Sequence, residues 1–295
     1  MNKLQGLAAE AADQGAGLAV FPEAFVGGYP KGIDFGARVG SRSPEGREWF
    51  RRYYESAIPV PGPETDAIGE TAARHGMHLV VGVIERAGRT LYCTALFFGP
   101  DGTLLGKHRK LMPTAMERLI WGMGDGSTLP VFDTPSGRIG AVICWENYMP
   151  LLRTAMYSQE IEIYCAPTVD DRDVWPASMR HIAVEGRCFV LSAVQYLTRA
   201  DCPADYQPIQ GDDASTVLIR GGSSIVGPLG DELVSPVYGR EAVLSAELDL
   251  RDIPRAKFDF DVVGHYARPD VFQLRVDRTP HSLVAAAAPR SEPAE

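Results

Sequence analysis

No apolar run in this chain of 295 residues approaches the roughly 20 residues needed to span a bilayer. The opening MNKLQGLAAEAADQGAG carries acidic residues early and has no continuous apolar segment, which excludes a secretory signal peptide. Cysteine is scarce: Cys93, Cys144, Cys165, Cys188 and Cys202 fall at irregular spacing with no C-x-x-C pair, so neither a disulfide framework nor a zinc site is indicated. Basic charge is also short, 29 Lys and Arg against 38 Asp and Glu, a net charge of −9. The one dense basic cluster, Lys107-His-Arg-Lys110, is too short for a nucleic-acid footprint. These absences point to a cytoplasmic protein with free thiols that partners neither membranes nor nucleic acid.

What is present is globular. Hydrophobic residues make up 45% and charged residues 23%, which excludes a disordered or collagenous chain and supplies a full core. Residues 2–14, 45–57, 64–75, 146–159 and 174–186 read as helices, with Pro150 tolerated in a first turn. Apolar runs predict strands over 18–21, 78–85, 91–98, 103–110, 138–144, 161–166, 188–195, 222–226, 233–236 and 242–249. Early alternation of strand and helix, interrupted by hairpin-like pairs, implies a layered α/β fold rather than a pure doubly wound sheet. No internal repeat or linker divides the chain, and the tail 285–295 (AAAAPRSEPAE) reads as disordered.

Cys144 ends an apolar strand just before a helix, where the helix dipole and free N–H groups lower a thiol's pKa. It reads either as a thiol counterpart of the nucleophile elbow or as a small buried hydrophobe. A nucleophilic thiol needs a base, and no histidine is an obvious partner. His181 and Glu185 stand four apart on a helix, as metal ligands or as an ordinary contact, with no third ligand evident. Glu23 ends a buried-looking strand directly after a proline; Lys110 closes another. Each taken alone also fits an ordinary solvated charge.

Three segments in order change that reading: Phe21-Pro-Glu-Ala-Phe25, His108-Arg-Lys-Leu-Met-Pro-Thr114 and Ile143-Cys-Trp-Glu-Asn-Tyr-Met-Pro150. Together they resemble the signature segments of the carbon–nitrogen hydrolase (nitrilase) superfamily. The likeness extends through Glu117-Arg-Leu-Ile-Trp-Gly122, Gly124-Asp-Gly-Ser-Thr128, Glu162-Ile-Tyr-Cys-Ala-Pro-Thr168, Met179–Arg187 and Ala256–His265, and so covers about residues 2–275.

The resemblance implies a four-layer α-β-β-α sandwich as a single domain over 1–275, with 276–295 as a tail. It implies Cys144 as nucleophile, Glu23 as general base, Lys110 as the cation that stabilises developing charge, and Glu117 as an additional carboxylate. No metal or organic cofactor is called for. The substrate implied is a small organic nitrile, hydrolysed with water to the carboxylic acid and ammonia through a thioimidate and a thioester. Tyr29, Met112, Thr114, Trp121, Trp145, Tyr148, Thr168 and Trp175 lie near the motifs and could line the pocket or pack the core. The family also implies a homodimer that assembles into larger oligomers or spirals. Two rival readings are an aliphatic amidase or carbamoyl-amide hydrolase with the same triad, and an inactive homologue that only assembles.

One departure stands out. Relatives usually open with a strand before the first helix, whereas Met1 opens almost at that helix. The resemblance therefore implies a fold lacking its first strand, an unpaired edge beside Leu18–Phe21, a loosely held Glu23, and a start site downstream of the natural one. A coding frame continuing upstream into a Val/Ala/Gln-rich strand would support this, and a stop codon would counter it.

Overall fold

A computed structural model describes residues 1–281. The first part of the chain supplies α1 (Asn2–Asp13), β1 (Leu18–Val20), a small hairpin of β2 (Ala37–Arg38) and β3 (Ser41–Arg42), α2 (Pro44–Ser56) and α3 (Pro63–His75). It continues with β4 (His78–Ala87), β5 (Thr90–Phe98) and β6 (Leu104–Arg109). The second part supplies β7 (Val131–Thr134), β8 (Gly137–Ala141), α4 (Pro150–Tyr157), β9 (Ile163–Thr168), α5 (Trp175–Gly186) and β10 (Phe189–Val194). β11 (Tyr196–Thr198), β12 (Val217–Val226), β13 (Glu232–Tyr238) and α6 (Asp252–Ala256) follow.

Two sheets result. One runs β1-β4-β5-β6, with β1 parallel to β4 and the rest antiparallel. The other runs β11-β12-β10-β9-β8-β7, with β13 also on β12; β8, β9 and β10 are mutually parallel. The period-two side-chain alternation of a strand sorts β4 between two layers. Leu79, Val81 and Val83 join Leu4, Ala8, Ile68 and Ala72 of α1 and α3 in one cluster. Val80 and Ile84 face the opposite way, meeting Ile139, Ala141 and Ile163 of the second sheet. Met156 of α4 and Met179 and Ile182 of α5 close the far face over Tyr164 and Ala166. The layers are helix, sheet, sheet, helix. A strand buried on both faces has no polar side to alternate, which is why β4 reads as an almost continuous apolar run.

Several expectations need correction. The 146–159 helix is two elements: a 3₁₀ turn over Cys144–Tyr148, then α4 with Pro150 at its first position. The strand expected over 138–144 ends at Ala141, because the backbone must turn out of the ladder before Cys144 reaches a positive φ of 53°. Residues 242–249 form no strand: Val243 and Leu248 anchor to the cores without a partner ladder. β7 escaped the sequence reading, since three of its four residues are only partly buried, Asp133 is exposed, and no alternation marks it. The disordered tail expected over 285–295 lies outside the described residues.

β1 pairs on one side only among the described residues. A cavity of about 1410 Å³ opens against Leu18–Phe21, walled across from it by Leu191–Tyr196 and by 240–248. Glu23 is nonetheless firmly held, contrary to expectation. Phe21 N–H donates to Val80 and Val26 N–H to Gly82, pinning both sides of it to β4. Gly82 is what permits so close a passage, because a Cβ there would fall 2.1 Å from the Pro22 carbonyl.

Candidate active site

Glu23 follows β1, Lys110 follows β6, Cys144 follows β8 and Thr168 ends β9, so four strands deliver side chains from their carboxyl ends to one place. Glu23 and Lys110 are fully buried and Cys144 is nearly so. Lys110 Nζ donates to Glu23 Oε1 at 2.7 Å and to Glu117 Oε2 at 2.8 Å, joining two carboxylates through one ammonium. The backbone fixes the lysine as well: its N–H donates to Cys93 O, and its carbonyl accepts from Gly124 N–H, each at 2.8 Å.

Glu117 comes from a short 3₁₀ turn, Ala115–Leu119, where it caps its own turn by accepting from Thr114 N–H at 2.7 Å. Its other oxygen accepts from the Tyr29 hydroxyl at 2.7 Å. Glu23 is satisfied on one side only. Oε1 accepts from Lys110 and from the Cys93 thiol at 3.4 Å, whereas Oε2 is buried without a partner in hydrogen-bond geometry. Burial raises the Glu23 pKa despite the opposing pull of Lys110, and the Glu117 charge adds to the rise. Burial alone would lower Lys110, but the facing Glu23, with Cys144, Cys93 and Glu117, holds it well above its ordinary value.

Cys144 takes positive φ without being glycine or asparagine, the kind of backbone strain that clusters at functional sites. Its thiol is raised, not lowered as expected from a helix N-terminus. Burial and the Glu23 carboxylate outweigh the pull of Lys110 and of a hydrogen bond with Thr168. The physical reason is that the thiol is buried with an anion alongside, while a five-residue 3₁₀ turn gathers little dipole to offset them. The raised thiol stands beside a carboxyl group with one free oxygen. Such a set can move a proton from sulfur to Oε2 as sulfur attacks an electrophile, with an ammonium at hand for the charge that develops.

The candidate pocket residues separate into three groups. Tyr29 and Thr114 touch Glu117, and Thr168, fully buried, reaches Cys144. Trp145 and Tyr148 stand at the surface, packed edge to face, with Trp145 Nε1 donating to Asp170 at 2.8 Å. Met112 is likewise exposed. Trp175 lies inside, 1% exposed behind Tyr148, and donates to Ser192 Oγ in the helix-side core. Trp121 is buried over Lys110, its ring centroid 5.5 Å from Nζ. Sequence reasoning passed over Cys93 and Gln195, whose Nε2 donates to the Glu23 carbonyl at 3.2 Å. Neither carries a motif signal; only the sheet pairing brings them in. Glu185 is engaged by Arg153 and Tyr157, and no group of three or more His, Cys, Asp or Glu suited to a metal occurs among the described residues.

Known proteins share this sequence pattern and fold. The sequence pattern described as "Carbon-nitrogen hydrolase" matches residues 1–258. An "Aliphatic nitrilase" of Sinorhizobium fredii (strain HH103) is 61% identical over 288 residues, covering 98% of this chain and 93% of that protein. A "Bifunctional nitrilase/nitrile hydratase" of Lupinus angustifolius is 58% identical over 289 residues, covering 96% and 83% respectively. The crystal structure of a carbon-nitrogen hydrolase from Helicobacter pylori G27 shares the fold, with a TM-score of 0.69 at 19% identity over 92% of this chain and 90% of that one.

Proposed function

The chain belongs to the carbon–nitrogen hydrolase family, and from that premise we propose that it is a nitrilase, converting an organic nitrile and two waters to a carboxylic acid and ammonia. The observation that carries the reading is the half-satisfied Glu23, one oxygen held by Lys110 and the other free, beside the strained Cys144. A nitrile carbon is a weak electrophile, so two covalent steps replace one difficult addition. Glu23 takes the Cys144 proton as sulfur bonds to the nitrile carbon, and the proton passes to nitrogen to give a thioimidate. Water then adds, its proton taken by Glu23, and ammonia leaves to give a thioester. A second water expels the thiol and releases the acid.

Lys110, with the Trp145 N–H, stabilises the charge on each tetrahedral intermediate, an interaction worth about 3 kcal/mol per donor. Glu117, oriented by Tyr29, serves as the second carboxylate that positions water or substrate. The relatives named for both nitrilase and nitrile hydratase activity support a partition at the first tetrahedral intermediate, where expelling the thiol instead of ammonia releases the amide.

No helix among the described residues is long and apolar enough to cross a membrane. A cytoplasmic setting is supported by five free thiols. Assembly from homodimers into larger oligomers is the accompanying proposal, checked by light scattering of the purified protein. The test of function is ammonia, acid and amide release from aromatic, arylacetic and aliphatic nitriles and their amides, run beside Cys144→Ala. Acid from nitriles, lost in the variant, is expected. Turnover of amides alone would move the chain to the amidase branch, and turnover of neither in a folded protein would leave only the assembly reading.

A further inference from the structure

We propose that the buried pair His108 and Glu146 is a positioning clamp for this reaction, locking the turn that carries Cys144 to the strand end that carries Lys110; the proposal rests on the roles given above to those two residues. Both side chains are essentially inaccessible, and neither touches the reacting groups. Glu146 stands two residues after Cys144 and His108 two residues before Lys110. A single carboxylate gathers the flanks of both. Glu146 Oε1 accepts from Leu111 N–H at 2.6 Å, next to the lysine. Glu146 Oε2 accepts from Ile143 N–H at 3.0 Å, next to the cysteine, and lies 3.0 Å from His108 Nε2.

The protonation state follows from the partners. His108 Nδ1 lies 2.6 Å from the Thr128 carbonyl, which can only accept, so Nδ1 carries a proton. Glu146 already accepts two backbone N–H groups, one on each oxygen, and Oε2 is also the partner that faces Nε2. In the proposed clamp Nε2 donates to Glu146, so that His108 carries a proton on both ring nitrogens. Burial opposes that charge, but Glu146 and the Thr128 carbonyl outweigh it and raise His108 above its ordinary value. The strand's alternation turns Lys107 and Arg109 to Glu85 on the opposite side.

A clamp of this kind sets the distance between nucleophile and cation, and a misplacement of about 1 Å can cost about a hundredfold in rate. Glu146→Gln and His108→Asn are each expected to lower kcat by about that factor with KM little changed. Alkylation of Cys144 by iodoacetamide, followed by peptide mapping, is expected to slow in both. Folded variants that keep parental kcat and parental alkylation would overturn the proposal. Should the variants fail to fold, the parent protein decides: ¹⁵N-histidine NMR should show His108 protonated on both ring nitrogens above the ordinary histidine pKa of about 6.5. A neutral His108 ring at that pH overturns the clamp. A parent that turns over no nitrile counts against the nitrilase reading alone, because alkylation and NMR do not depend on substrate.

Discussion

Two buried glutamates, one in the first sheet and one beside it, show how differently the fold can engage the same residue type. Glu85 lies within β4 and has every oxygen occupied: Oε1 accepts from Lys107 and Arg109, each at 2.6 Å, and Oε2 accepts from Arg109 Nε at 2.9 Å and Thr94 at 3.0 Å. Against burial, those bonds hold its pKa below the ordinary value. Glu23, beside the same sheet, has a cation on one oxygen and nothing on the other, and burial raises it. A buried carboxylate with all its lone pairs engaged is locked in one protonation state. One left half-engaged keeps an acceptor ready for a proton.

Substitutions should widen that contrast. Cys144→Ala is expected to be the most damaging, lowering ammonia release from nitriles by about 10⁴-fold or more, because the covalent route is lost entirely. Glu23→Gln should cost about 10²- to 10⁴-fold in kcat, as loss of a general base does, while circular dichroism reports an unchanged fold. Because Glu23 must be ionised to accept the thiol proton and its pKa is raised, kcat/KM should fall on acidification with a midpoint above the ordinary carboxylate value of 4.5. A midpoint at or below that value would count against Glu23 as the base. Tyr29→Phe removes one hydrogen bond to Glu117 and is expected to lower kcat about tenfold, consistent with about 1.5 kcal/mol for a bond to a charged acceptor.

Glu85→Gln should have the smallest effect on turnover and act on stability instead, by about 1–3 kcal/mol in urea titration. Lys107 and Arg109 are each about a quarter exposed and can turn partly to water, which limits the loss. The sign with pH is fixed: with its folded pKa lowered, Glu85 contributes above the unfolded value and loses that contribution as pH falls through the lowered one. The Gln variant should therefore be less stable than the parent at neutral pH and converge with it in acid. If Glu85→Gln instead abolished turnover with stability intact, the division between the two glutamates would fail.

Much of this was legible in the chain. Helices α1, α2, α3 and α5 begin and end within a residue or two of where apolar spacing, Pro and Gly place them. The doubly buried β4 and β5 are equally plain, because a continuous apolar run bounded by turns leaves little choice. The stretch 242–249 misled for the same reason, since alternation shows which side chains are buried and not whether a partner strand exists. Trp175 shows the same limit at the site. Near the motif in sequence, it is carried by α5 into the helix-side core, while Tyr148 in front of it meets solvent.

The sequence by itself determined the chemical inventory: a thiol, two carboxylates and an ammonium, each in a motif segment at a strand or turn boundary. It determined the layered fold too, because local periodicity dictates which faces must be covered. Only the tertiary structure decided how that inventory is arranged. That Lys110 bridges Glu23 and Glu117, that one oxygen of Glu23 is left free, and that Glu146 ties residue 143 to residue 111 are facts about separations of 87, 7 and 35 or fewer residues along the chain. Hydrogen bonding reaches about 3 Å, so such relations exist only after the strands have registered and the sheets have packed.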